Sequence, residues 1–558
     1  MQLRALVNRR TLVALAVVGV SFLLALAYAR PYGASNQQTY LIDPLHRAHP
    51  ELFNHDWLVA STTAYHPVFG WLAAPLFGLD PTGVRSFAIA QLVVMTLTYV
   101  ALYGLIAALV TRGRLAVFLA LAGLLALGGG RTLAGTYLFA GYLQPSSLAT
   151  LLWLIALRAW VRDRPLAAGV WLGLGGACHV NFLVLGLGLF GLLELMSVRL
   201  HLRELSLRRV AAVLGPSLVV LAAFAPTLLA GGHAHDPATA LRLLMEFCAP
   251  GHYAPSRIRH GQPPLIAWLV VAWGVLPVAR AAGGAAIDRM WRFAVAATVV
   301  CVAATLLVSI PPLLRLTQLF VWRIAPFAQL ASQLIVIAAV LAPGEAPLAV
   351  PGVRRRAIAV VGGGLVLIVE AVRLNAELEP VVGLGLLVAI GLVALWRRGR
   401  VTALVLAVAM IGAALGSQWS WLIEPPAFEP QCGGSDCELL RKISLETPVD
   451  SVFLVPPYMN WFRLFGRRGI VADTKSPPLY PDELVAWYRR LCAIVGAPEV
   501  ARHEQVEAMW DTLSADQLLA AAHQFDVDYI FLYKQLSRAR LPLPIAYETA
   551  DHLVYRVR

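Results

Sequence analysis

Charge is what this sequence has least of. Only 14% of its 558 residues are Asp, Glu, Lys or Arg, while 59% are hydrophobic. A soluble domain carries about 25% charged residues, so an ordinary water-soluble globule is excluded and most of the surface faces hydrocarbon. A chain in hydrocarbon must satisfy its own backbone hydrogen bonds, which points to helices. Lysine is nearly missing: Lys442, Lys475 and Lys534 are the only three, all in the last quarter. The net charge of +13 therefore rests on arginines, gathered in short clusters between apolar runs. That distribution orients a membrane protein rather than tracking a phosphate backbone, so no nucleic-acid partner is expected.

Cysteine is also scarce, and the six residues show no metal-ligand spacing. Cys432 and Cys437 flank "GGSD" in a predicted exposed loop, where a short disulfide is open to them if that side is oxidising. The chain lacks a Walker loop, a Rossmann glycine fingerprint after a strand, an HExxH and a GxSxG. Its glycine runs, "LGGGR" and "VGGGL", fall in apolar stretches and suit helix packing. No nucleotide engine and no inverted transporter repeat is visible.

What the sequence has is apolar length. "MQLRALVNRR" precedes a run from Thr11 to Ala29 that ends in a signal-peptidase-like "AYA". At about nineteen residues it spans the hydrocarbon core, and it reads as a retained helix with the following residues outside the cytoplasm. Further runs cover 84–110, 115–130, 143–161, 165–178, 180–196, 210–231, 264–282, 292–310, 323–342, 357–374, 380–396 and 401–422. That is about thirteen crossings by the twenty-residue criterion. With Arg9 and Arg10 inside, alternation puts every dense Arg cluster before residue 423 on the cytoplasmic side. The agreement requires a break between 178 and 180.

The expected architecture is thus an α-helical polytopic membrane domain, 1–422, whose first extracytoplasmic loop spans 30–83. A soluble extracytoplasmic α/β domain, 423–558, follows. Other outer segments are 232–263 and 311–322. In the tail, "SVFLVPP", "RGIVAD", "VDYIFLY" and "HLVYRVR" read as strands. "PDELVAWYRRL" and "SADQLLAAAHQF" read as helices, the second with a Ser-x-x-Gln capping box.

The candidate chemistry lies in the outer segments. "ELFNHDWLVASTTAYHP" (51–67) is the densest titratable stretch. Asp56, flanked by His55 and Trp57, and Asp43 upstream are candidate general bases at the water–lipid boundary, with His66 nearby as a substrate contact. The same carboxylates and imidazoles could instead ligate a divalent cation, and the cofactor is otherwise unknown. A solvated loop that keeps itself out of the membrane explains them as well. His179 and Asn181 in "ACHVNFL" interrupt an apolar stretch at an expected outer turn. Gln144 in "GYLQPSSL" sits at a helix start, where capping competes with substrate binding. Arg315 and Arg323 flank an outer loop, against the positive-inside trend, at the depth of lipid phosphates. Arg463 and Lys475, in "NWFRLFGRRGIVADTKSPPL", could hold an anionic or sugar substrate, although a salt-bridged domain surface is the commoner use of such residues.

Assembled, the early "NQQTYL", "HDWLV" and "HPVF", the mid-chain "HVNF" and the tail "TPVDSVFLVPP…FR…RRGIVADTKSPP" resemble the GT-C superfamily of integral-membrane glycosyltransferases. Protein O-mannosyltransferases, oligosaccharyltransferase catalytic subunits and bacterial lipid-sugar transferases belong to that superfamily. The resemblance is one of layout over most of the chain, carried by short motifs. It implies a multi-pass enzyme of the bacterial inner membrane with a cytoplasmic N-terminus. Such an enzyme takes a sugar from a polyprenyl-phosphate donor at the outer face and passes it to an acceptor not identified here, with inversion. It also implies an acidic base or metal ligand in the first outer loop. Many members place that acid a few residues after the first helix. Here the region reads "SNQQTY", so the role falls to Asp43 or Asp56, or the acid has been lost. A non-catalytic lipid-binding scaffold of the same layout and a lipid or sugar transporter are the competing readings.

Overall fold

The computed structural model describes residues 8–64, 66–129, 132–198, 206–230, 235–254, 258, 262–308, 314–341, 400–537 and 539–558. Eleven of the thirteen apolar runs coincide with helices, from Arg9–Ala27 to Arg400–Gly416. The other two, 357–374 and 380–396, lie outside the described residues. Seven described helices are long and apolar enough to cross a membrane, and five shorter apolar ones accompany them. The protein is a multi-pass, mostly helical membrane protein with a small C-terminal sheet.

The chain divides into two compact units. One comprises Met1–Ala29, Ile89–Ala223 and Pro255–Pro426. Its helix Ala325–Leu341 is buried along nearly its whole length although it carries Gln329, Ser332 and Gln333. Close backbone approach replaces side-chain bulk elsewhere in this unit. A Cβ on Gly169 would meet the carbonyl oxygen of Ala212 at 2.4 Å, so only glycine lets helix Pro165–Cys178 lie so near Leu207–Ala230. The expected break falls at His179, whose extended backbone ends Pro165–Cys178 and caps Val180–Ser197.

The other unit comprises Arg30–Ala88, Phe224–Ala254 and Ala427–Arg558. The first and second outer segments therefore fold together with the tail. Its sheet has the order β2-β1-β3-β5-β4, with β1 Val452–Leu454, β2 Gly469–Ile470, β3 Tyr529–Tyr533, β4 Ile545–Glu548 and β5 His552–Arg556. β2, β1 and β3 run parallel, while β5 is antiparallel to β3 and to β4. The parallel strands are short, apolar and buried, as strands covered on both faces must be. Ser514 caps Ala515–Gln524 by the expected capping box. Phe453, Phe462, Phe531 and Leu440 centre the core. Cys432 and Cys437 are bridged at the start of helix Gly434–Glu446.

Two seams bind the outer segments to the tail. Tyr32 donates its N–H to Glu429 O (2.9 Å) and accepts from Gln431 N (2.7 Å). His235 holds Asp482 through its ring (2.5 Å), and Phe247 packs edge-on against Trp487 and Tyr488. The first outer segment holds short helices at Gln37–Tyr40, Ile42–Ala48 and Trp57–Ser61. A longer apolar one, Pro67–Leu79, follows, where the sequence suggested only loop.

Candidate functional site

The two candidate carboxylates have different surroundings. Asp56 ends an irregular turn and caps helix Trp57–Ser61. One of its oxygens accepts from Leu58 N (2.9 Å) and Val59 N (3.4 Å). The other accepts from the Arg463 guanidinium (2.7 Å) and from Ile470 N of β2 (2.9 Å). Asp56 is completely buried. Four donors saturate its lone pairs, so the carboxylate has a structural role with no lone pair turned to solvent. Arg463, also buried, grips Asp473 with a second nitrogen, and the other oxygen of Asp473 accepts from Lys475 N and Ser476 N (2.8 Å each). Burial alone would lower the Arg463 guanidinium, but the charges of Asp56 and Asp473 outweigh burial and hold it above its usual range. Arg490 adds a second cation, stacked between Trp57 (5.1 Å) and Phe525 (4.7 Å).

Asp43 stands in the first turn of Ile42–Ala48 and pairs with Arg47 one turn on (2.8 Å). Its side chain keeps about a third of its surface exposed, 31%, and its second oxygen accepts no hydrogen bond from a described residue. Gly70 on helix Pro67–Leu79 is what lets this carboxylate approach: a Cβ there would come within 1.9 Å of Asp43 Oδ2 and 2.8 Å of Arg47 Nε. The next residue, Trp71, lies under the Arg47 guanidinium (5.7 Å). Trp71, Leu72 and Leu79 are exposed on a helix without a single charge, the pattern of a face that meets lipid.

The remaining candidates divide between the units. His55 is exposed, whereas His66 is buried edge-on to Tyr40 (5.3 Å). Lys475 ends the loop pinned by Asp473. Its carbonyl accepts from Thr39 Oγ1 (3.2 Å), and its exposed ammonium is lowered by partial desolvation, with Asp473 opposing. In the membrane unit, Gln144 is buried at the start of Pro145–Val161 and donates to Tyr137 Oη (3.2 Å). Asn181 donates to Leu319 O (3.1 Å), and His179 lies against Phe182. Arg323 stacks over Phe320 (5.0 Å). Arg315 falls in the short helix Leu314–Gln318, and its side chain lies outside the described residues.

The sequence did not single out Arg47 or Gly70. Arg47 stands four residues after Asp43, a spacing that would have been telling had 42–48 been read as a helix. Nothing local marks Gly70. Among the described residues no three His, Cys, Asp or Glu side chains gather as a metal site. A cation at Asp43 would therefore draw its other ligands from elsewhere than these side chains.

A model of a domain of unknown function, DUF6798, matches residues 436–494, the stretch that contains Arg463, Asp473 and Lys475. No curated protein matches the chain by sequence. Among solved structures, the chain is similar to ArnT from Cupriavidus metallidurans bound to undecaprenyl phosphate. That similarity has 13% identity and a TM-score of 0.49 over 97% of this chain and 96% of that one. It is also similar to the Archaeoglobus fulgidus oligosaccharyltransferase tethered to an acceptor peptide, with 10% identity and a TM-score of 0.45 over 93% and 69% of the two chains.

Proposed function

We propose that the protein is a membrane glycosyltransferase that moves a sugar from a polyprenyl-phosphate-linked donor to an acceptor at the extracytoplasmic face, with Asp43 as general base. The observation that carries this reading is the contrast in the first outer segment. Asp56 is saturated and sealed, whereas Asp43 is partly exposed and held by one cation beside an apolar, lipid-type helix face. A base needs a free lone pair within reach of the proton it takes, and Asp43 meets that requirement.

In the proposed step the acceptor O–H attacks the anomeric carbon as the bond from that carbon to the phosphate oxygen breaks. The proton passes to Asp43, and the electron pair leaves with the polyprenyl phosphate. The Arg47 pair fixes the direction of the Asp43 carboxylate. Arg315 and Arg323 are proposed contacts for a lipid phosphate, and Lys475 for a polar group on donor or acceptor. Gln144, His179, Asn181, His55 and His66 are proposed substrate contacts. The bridged Cys432–Cys437 pair supports an oxidising, extracytoplasmic setting for the tail. A cytoplasmic N-terminus is proposed on the arginine pattern, and the bacterial inner membrane on the sequence resemblance.

The test is native mass spectrometry of the gently purified protein with its lipids retained, for wild type, D43N and D56N. A glycosylated polyprenyl carrier that accumulates only in D43N is the expected result. Ordinary phospholipid alone in all three would overturn the reading in favour of a scaffold or transporter.

A further inference from the structure

The arginines on the membrane unit divide into two groups. One group is neutralised. Glu194, buried, accepts from Trp160 Nε1 (3.1 Å) and from Arg209 (2.6 Å); Arg209 also holds Asp163, which Arg289 reaches at 3.2 Å. Asp163 adopts a left-handed backbone (φ 61°), unusual for a residue with a Cβ. Its carboxylate goes to Arg209 and Arg289, and among the described residues Arg162 and Arg164 on either side have no acidic partner.

The second group is left without compensation. Arg158 and Arg162 stand one turn apart at the end of Pro145–Val161, Arg164 precedes Pro165–Cys178, and Arg114 opens the helix Arg114–Leu124. Burial and the like charges of the other three all lower the Arg162 guanidinium. Among the described residues none of the four pairs with a carboxylate. Arg114 donates to Val110 O (2.9 Å), and Arg158 lies against Gly104. These four cations, three of them exposed, favour an anion. Leu166, Val170 and Leu174 say which kind. They follow Arg164 and are spaced four residues apart, so they form one stripe, and all three are exposed, 61%, 41% and 46%. The opposite face of that helix, with Ala168, Leu172 and Gly175, is buried.

We propose that Arg114, Arg158, Arg162 and Arg164 form a binding site for the phosphate headgroup of an anionic phospholipid whose acyl chain lies along Leu166, Val170 and Leu174. Guanidiniums suit this ligand because their planar forks take phosphate oxygens in pairs. The site is independent of the chemistry at Asp43. Its competing explanation is orientation alone, since any cation at these positions would help to keep this end in the cytoplasm.

The experiment separates the two. Detergent-purified full-length protein is mixed with diphosphatidylglycerol or phosphatidylethanolamine, and retained lipid is read by native mass spectrometry. Wild type is expected to retain diphosphatidylglycerol. R158Q/R162Q/R164Q is expected to weaken it at least about tenfold, with phosphatidylethanolamine unchanged. R158K/R162K/R164K keeps the orienting charge and loses the fork. Weaker retention in this variant than in wild type supports the site even if the Gln variant inserts wrongly. Wild-type retention in the Lys variant, or capture of free pyrophosphate by wild type that retains no diphosphatidylglycerol, overturns the proposal.

Discussion

Asp43 and Asp56 stand thirteen residues apart in one segment. Asp56 is locked by four donors, one of them a buried arginine, so its charge serves to fasten the first outer segment to the tail. Asp43 is locked by one donor and keeps an oxygen for other work. The difference teaches how to weigh an acid in a sequence like this one. Density of titratable neighbours marks where a fold is being tied, while the reactive group is the one the ties leave open.

The largest effect should come from the fastening. R463L leaves Asp56 and Asp473 buried side by side without their cation and should destabilise the unit by about 3–5 kcal/mol. Limited proteolysis of the purified protein should then release fragments of the tail; full protease resistance would show that the clasp is not needed. Next is the chemistry. D43N should slow transfer by about 10²–10⁴-fold while protease resistance stays at the wild-type level. D56N should show the reverse, a less resistant protein whose folded fraction still turns over. Exchange of those two outcomes would move the base to Asp56.

G70A comes third. Its methyl group must displace the Asp43 carboxylate, and a shift near 1 Å costs up to about 10²-fold in rate. The loss should appear in kcat rather than KM, since the methyl moves the base and leaves the substrate contacts in place. The smallest effect concerns Glu483, whose carboxyl is held above its usual range by desolvation, against the N–H and hydroxyl of Thr63 (3.0 and 2.8 Å). A raised acid contributes stability that is complete below about pH 4.5 and fades as pH climbs through the raised value. E483Q, which imitates the neutral acid, should therefore match wild type at pH 4 and gain no more than about 0.5 kcal/mol at pH 8, read from thermal melts at both values.

The membrane helices were legible because hydrocarbon admits few structures: a long apolar run has nowhere to go but a helix, and eleven runs became helices at nearly their expected bounds. The tail's strands and capped helices were legible from β-branched runs and from Ser514 with Gln517. Two things escaped. Pro67–Leu79 is too short to announce a crossing, and its prolines disguise a helix. The partners of Asp56 escaped because they are non-local. Arg463 was noted for a substrate, and nothing between residues 56 and 463 in the sequence says that they touch. The same holds for Gly70 against Asp43, where the signal is a clash that only the folded geometry reveals.

The bond between Asp56 and Arg463 joins residues 407 positions apart. At about 5–20 residues per second of synthesis, Asp56 waits roughly 20–80 s for its cation to be made. During that wait the segment carrying Asp43 has no finished unit to belong to. A chain cut short by a nonsense codon before residue 463 would thus keep most of its membrane helices and present an unpaired acid and an undocked apolar segment. Such a chain would be a ready substrate for the cell's proteases, so the two-carboxylate clasp doubles as a check that synthesis has passed residue 473.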